Sequence, residues 1–156
     1  YDPEDSVTEH APLVSYHEDR VWHFAQFVGR DYYHYASTAL RDYCGNVVKM
    51  LLGDDITVRT RNLPSFAMVS VMTRADGSAR YVHILNYVPE KRGRQMEIIE
   101  DALPASGVEI DLAAGTRPAR GVRGITGDVA IAFAEADGRI RFTVPPFQGY
   151  ALIEIV

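Results

Sequence analysis

From Ser65 to Gly93 the chain reads SFAMVSVMTRADGSARYVHILNYVPEKRG, two apolar runs arranged about a turn. Asp76-Gly77 supplies that turn, because glycine at a hairpin tip tolerates the positive φ that a tight primed turn or its bulged variant requires. Phe66, Met68 and Met72 alternate with Ala67, Val69 and Val71, and Tyr81, Leu85 and Tyr87 alternate with Val82, Ile84 and Val88. Both faces of the hairpin are therefore largely apolar, and such a hairpin calls for cover on both sides.

Upstream the pattern is different. Leu13 to Ser15 and Arg20 to Val28 are short apolar runs around the polar turn His17-Glu18-Asp19, and they read as a strand pair. Asp31 is placed to cap a helix by accepting bonds from free amides of the first turn. From Tyr32 to Leu52 the spacing predicts a single long helix, with Ala36, Leu40, Tyr43, Val47 and Leu51 in one apolar stripe and Gly53 at its end.

After Gly53 the period changes to two. Met96 to Glu100, Val108 to Leu112, Gly121 to Ile125, Val129 to Ala134, Ile140 to Val144 and Tyr150 to Val156 read as strands. Asp137-Gly138 sets a second hairpin, in which Val129, Ile131 and Phe133 face Ile140, Phe142 and Val144. Pro145-Pro146 interrupts the ladder before the last strand. About eight short strands at this spacing imply two packed sheets, which bury alternating faces without helices. The expected fold is mainly β, an antiparallel β-sandwich over residues 54–156 preceded by a short α/β segment with one long helix over residues 1–53.

Composition excludes more than it identifies. The 156 residues are 47% apolar and 24% charged, the balance of an ordinary globular chain. Of the net charge of −5, residues 1–53 hold four basic and eight acidic side chains, and residues 54–156 hold twelve and thirteen. Lys91, Arg92 and Arg94 are too few, and too near a turn, to form a footprint for phosphate backbones, so nucleic acid is not an expected partner. Cys44 is the only cysteine, which excludes an internal disulfide framework and any multi-cysteine metal site. No run of about 18 apolar residues is present to cross a bilayer, so no membrane partner is expected. The start YDPEDSVTEH is acidic and polar, unlike a secretory leader. A polar segment leading quickly into a strand and a helix reads as the interior of an α/β unit, and hence as part of a longer polypeptide.

Candidate chemistry is sparse. His17, Asp19 and His23 could converge on a metal in a small free-standing enzyme, but their spacing matches no helical two-histidine motif. Cys44 lies in a predicted helix beside Gly45, away from any strand-to-helix elbow, and reads as a packed helix cysteine rather than a nucleophile. Glu100-Asp101 stand at a strand end, where a solvated pair is the default, and glycoside hydrolysis needs two acids held across a cleft. Neither a dinucleotide fingerprint nor a phosphate loop occurs, so no cofactor is expected, and no residue is assigned as catalytic or as a metal ligand. The remaining signal is aromatic density. Trp22, Phe24 and Phe27, followed by Tyr32, Tyr33 and Tyr35, suit either a subunit interface or stacking on sugar faces, against the simpler reading of internal packing.

Arg80-Tyr-Val-His-Ile-Leu-Asn-Tyr-Val-Pro-Glu-Lys-Arg-Gly93, with Ile98-Ile99-Glu100-Asp101, Phe142-Thr-Val-Pro145 and Gly149-Tyr150, resembles the carboxyl-terminal region of bacterial glycoside hydrolases related to the trimeric β-galactosidases. In that family a catalytic TIM barrel is followed by an amidotransferase-like trimerisation domain and a small β-sandwich. The resemblance implies that residues 1–53 end the amidotransferase-like domain and that residues 54–156 are the sandwich. It implies a non-catalytic role in positioning or oligomerising the barrel. The partners would be the barrel of the parent chain and neighbouring subunits, in the bacterial cytoplasm. The family's catalytic glutamates belong to the barrel, so no position here inherits them. An amidotransferase elbow is absent from these residues. A different class of function, a carbohydrate-binding sandwich with tyrosine and tryptophan platforms, remains as the alternative.

Overall fold

The computed structural model describes residues 14–17, 21–24, 27–91, 93–94 and 96–156. The chain divides into two compact units, residues 1–56 and 57–156. In the first, β1 (Val14–His17) pairs antiparallel with β2 (Val21–Phe24), setting Tyr16 opposite Trp22. Helices α1 (Val28–Tyr35) and α2 (Thr38–Leu52) follow.

The helical region departs from the expected single helix over Tyr32 to Leu52. Ala36 adopts a left-handed conformation, φ 49°, and its N–H donates to the Tyr32 carbonyl, which closes α1. Ser37 is extended at the N-terminal boundary of α2, as serine there commonly is. The Ser37-Thr38 pair was the sequence signal for a restart. Val28 and Asp31 accordingly lie within α1, not at the end of a strand and at a cap, and Phe27 precedes the helix. Asp31 still favours the helix start through its charge in the first turn. Along α2 the apolar stripe holds for Leu40, Tyr43 and Val47, whereas Leu51 is exposed.

The second unit is an antiparallel sandwich. Its strands are β3 (Val58–Arg61), β4 (Met68–Thr73), β5 (Arg80–Leu85), β6 (Glu90–Lys91), β7 (Glu97–Ile98), β8 (Pro104–Ala105), β9 (Glu109–Ala113), β10 (Val122–Gly124), β11 (Val129–Ala130), β12 (Phe133–Ala136), β13 (Arg139–Thr143), β14 (Phe147–Gln148) and β15 (Tyr150–Ile155). A larger sheet runs β11-β10-β15-β5-β4 and a smaller one β12-β13-β9-β3, while β6 pairs β7 and β8 pairs β14. Period-two alternation turns Val82, Ile84, Ile153 and Ile155 from one sheet toward Ile110, Leu112, Ile140 and Phe142 from the other, and all eight are buried in one core. Arg80 extends across to donate to the Ala113 carbonyl at 2.7 Å.

Two turns set the register. Thr73 pairs Arg80 in the first hairpin, whose loop is closed by Arg74 N–H to the Ala79 carbonyl and uses Gly77 at φ 68°. Asp137 and Gly138 both have positive φ, 54° and 68°, the primed geometry that matches strand twist. The run Val129 to Ala134 is not one strand. Val129–Ala130 pairs with β10 in the larger sheet, and Phe133 opens β12 in the smaller. Between them the Ile131 N–H donates to the Val122 carbonyl, and its buried side chain joins the core as the chain changes sheet. Single-strand alternation cannot reveal that crossover.

The end of the first hairpin meets the start of the last strand. The Asn86 N–H donates to the Gly149 carbonyl at 2.7 Å, and the Gly149 N–H donates to Leu103 at 3.1 Å. The Asn86 side chain, 1% exposed, donates to the same Leu103 carbonyl at 2.9 Å. Gly149 has φ 70°, and a Cβ there would lie 2.5 Å from Tyr87 Oη and 2.6 Å from its Cζ. Gly149→Ala must therefore strain the backbone and displace the tyrosine ring, with an expected loss of about 2–4 kcal/mol in chemical denaturation. A loss under about 0.5 kcal/mol would mean that this junction does not constrain the fold.

Candidate functional site

The outer face of the smaller sheet carries alternating charge. Strand register aligns Arg59, Asp111, Arg141 and Ala134 in one row, and Arg61, Glu109 and Thr143 in the next. These rows floor an open groove of about 640 Å³. Asp111 is its organising group. Arg139, almost buried, donates through Nε to the Asp111 carboxylate and through Nη2 to the Asp111 carbonyl at 2.8 Å, and Arg141 stands 3.6 Å from the second carboxylate oxygen. Arg61 lies 3.9 Å from Glu109. Partial burial pushes the Asp111 carboxyl up, but the hydrogen bond and charge of Arg139, joined by Arg141, outweigh it and hold the group below its ordinary 3.8.

That electrostatic setting decides the chemistry. A general acid needs a carboxyl kept protonated by its surroundings, and guanidinium neighbours do the opposite to Asp111. Among the described residues no group of three or more His, Cys, Asp or Glu side chains could hold a metal. The groove offers donors and acceptors for a polar surface or ligand. Sequence reading missed it, although the i, i+2 charges of Arg59/Arg61, Glu109/Asp111 and Arg139/Arg141 were there to be read as one ladder.

The outer face of the larger sheet is different. Register sets Met68, Leu85 and Tyr150 in one row, Ser70, His83 and Leu152 in a second, and Met72, Tyr81 and Glu154 in a third. Tyr150 Oη lies 2.8 Å from His83 Nδ1. Tyr81 donates to Glu154 at 3.1 Å, and Arg123 neutralises the same carboxylate at 3.0 Å. These polar atoms thus satisfy one another across two inner strands, among the apolar side chains of the same face.

The aromatic residues singled out from sequence lie in the first unit. The side chain of Trp22 falls outside the described residues, as do Asp19 and the side chains of His17 and His23. Phe24 packs edge-on to Tyr43, with ring centres 5.6 Å apart. Phe27 is exposed beneath the Arg30 guanidinium, 4.7 Å from its ring centre. Tyr32, Tyr33 and Tyr35 are exposed on α1, where Tyr33 meets His34 edge-on. At about 100° per helical residue Tyr32 and Tyr35 share one side of α1, and Tyr33 stands about 100° away from Tyr32. Cys44 is half-buried in α2.

No family model matches the sequence, and no curated protein matches it. Among solved structures, the chain is similar to α-L-fucosidase isoenzyme 2 from Paenibacillus thiaminolyticus, at 28% identity and a TM-score of 0.79. The match covers 86% of this chain and 20% of that one, so the chain spans about a fifth of the fucosidase's length. The likeness is to part of a glycoside hydrolase. A glycoside-hydrolase relative was expected from the motifs around Asn86 and Gly149; the neighbour carries the name of a fucosidase, not of a β-galactosidase.

Asp111 gives this site its pH test. A carboxyl with a lowered folded pKa contributes stability that is full above its ordinary 3.8 and is lost as pH falls below that value. Asp111→Asn is expected to lower stability near pH 7 by about 1–3 kcal/mol and to flatten the acid limb of a stability-versus-pH curve. An unchanged acid limb would remove Asp111 from the charged network's titration.

Proposed function

We propose that this chain is a non-catalytic accessory portion of a longer glycoside hydrolase, in which the sandwich of residues 57–156 supports a separate catalytic region. The similarity to a fucosidase at 28% identity over 86% of the chain carries this reading. The groove supports it from the other side, because Asp111 is held ionised between arginines and is unsuited to proton donation.

At finer grain, the motif at Arg80–Gly93 favours a parent related to the trimeric β-galactosidases, with a catalytic TIM barrel. The first unit then closes an amidotransferase-like trimerisation domain, and the exposed Tyr33 and Tyr35 meet a neighbouring subunit. The alternative, a carbohydrate-binding module, draws on the exposure of Phe27, Tyr33 and Tyr35. It requires saturable binding of galactosides or fucosides to the isolated chain, lost on Trp22→Ala.

The deciding experiment reads the open reading frame upstream of Tyr1, then assays the long polypeptide and the 156-residue chain on aryl α-L-fucosides and aryl β-D-galactosides. The long polypeptide is expected to hydrolyse one of them and the short chain neither. A start codon directly before Tyr1, or turnover by the short chain, would overturn the proposal.

A further inference from the structure

Arg80 departs from the pattern of its own strand. Register sets it in one row with Ile155 and Val122, on the side of β5 that Val82 and Ile84 turn toward the core. A cation therefore occupies an inner-face position at the end of the larger sheet. Its guanidinium crosses to the smaller sheet, where Nη1 donates to the Ala113 carbonyl at 2.7 Å. Among the described residues no carboxylate pairs with it, and partial burial alone pushes its pKa below the ordinary value. A half-buried charge without a counter-ion is costly, and an anion beside it lowers that cost.

The space beside that guanidinium is a cleft of about 420 Å³ at the end of the sandwich, lined by the first hairpin, the loop over residues 113–120 and the last residues of β15. Arg117 and Arg120, both exposed, share the lining with Arg80, Thr73 and Thr116. No Asp or Glu side chain is among the described residues that line it. The acidic groups of adjoining segments are engaged elsewhere: Asp76 with Ser78 and Arg74, Glu135 with the Ala119 N–H, and Asp137 with Arg141. Val156, also in the lining, accepts the N–H groups of Arg120 and Gly121, and three guanidinium groups outnumber any carboxylate there. The groove on the smaller sheet pairs its arginines with Asp111 and Glu109. This cleft leaves its own uncompensated.

A guanidinium offers a planar fork of N–H donors that matches two oxygens of a phosphate or sulfate, so several such forks around one cleft suit a tetrahedral oxyanion. Small-molecule pockets run from about 300 to 1,000 Å³, and this cleft lies within that range, with room for more than a lone ion. We propose that the end cleft of the sandwich binds the phosphate or sulfate ester group of a small polar molecule, with Arg80 as the inner anchor and Arg117 and Arg120 as outer contacts. The site belongs to the second unit alone and does not depend on a catalytic region elsewhere in the polypeptide.

Amide NMR of the 156-residue chain tests it, with sodium phosphate, sodium sulfate and glucose 6-phosphate titrated near neutral pH against sodium chloride at matched ionic strength. The oxyanion probes are expected to give saturable shifts at millimolar concentration or below, confined to amides of residues 78–80 and 113–120, and chloride none. Arg80→Met is expected to weaken binding at least about tenfold, and Arg117→Ala about threefold. Because Arg80 also bonds Ala113, the Arg117 variant keeps the test independent of folding: its exposed side chain has no ion pair to lose among the described residues. Tighter binding of glucose 6-phosphate than of inorganic phosphate supports an ester, and equal affinity overturns the ester in favour of the free ion. Shifts that do not saturate, that chloride reproduces, or that survive both substitutions unchanged overturn the site.

Discussion

The structure depends on the last strand of the chain lying in the middle of a sheet. β15 pairs with β5 on one side and β10 on the other, so three separate stretches of sequence meet only when residues 150–155 are in place. Its inward side chains, Ala151, Ile153 and Ile155, are buried in the core, and its outward ones, Tyr150, Leu152 and Glu154, lie on the outer face of the sheet. One strand therefore determines both what holds the sandwich together and what it presents. Gly149 fixes where that strand begins, because only a residue without Cβ fits beneath Tyr87 at positive φ. Pairing of this range makes long loops close before contacts form, which favours slow, cooperative assembly.

The two outer surfaces of the sandwich differ in chemistry. On the smaller sheet, Asp111 gathers Arg139 and Arg141 into a network that neutralises itself and stays wet. On the larger sheet, the polar atoms of Tyr81, His83, Glu154 and Tyr150 satisfy one another, leaving methionine and leucine carbon as the exposed material. The chain's likeness is to about a fifth of a fucosidase.

Local chemistry was legible in the sequence where one or two residues dictate the backbone. Asp76-Gly77 and Asp137-Gly138 gave their turns because positive φ needs such residues, and alternation gave the sandwich class because burial on one face writes itself every second position. Non-local events were hidden. The chain's crossing between sheets at Ile131 leaves the alternation intact, and the two-residue pairings β8–β14 and β6–β7 are too short to carry a period. Of the junction of Asn86, Leu103 and Gly149, Asn86 and Gly149 entered the sequence reading only within a family likeness and Leu103 not at all, since the partners lie 17 to 63 residues apart. The charged ladder was legible in principle, but only once three strands were known to be neighbours.

The buried residues among those described lie mainly in the sandwich. The sandwich buries a continuous cluster, whereas in the first unit Val47 alone is buried among the residues whose burial is described. Native-state hydrogen exchange on the 156-residue chain measures that difference directly. If the sandwich is the self-sufficient body, amides of β5, β9, β13 and β15 should exchange only through global unfolding, and those of α1 and α2 far sooner, by local opening. Equal protection of α2 and β15 would contradict a self-sufficient sandwich.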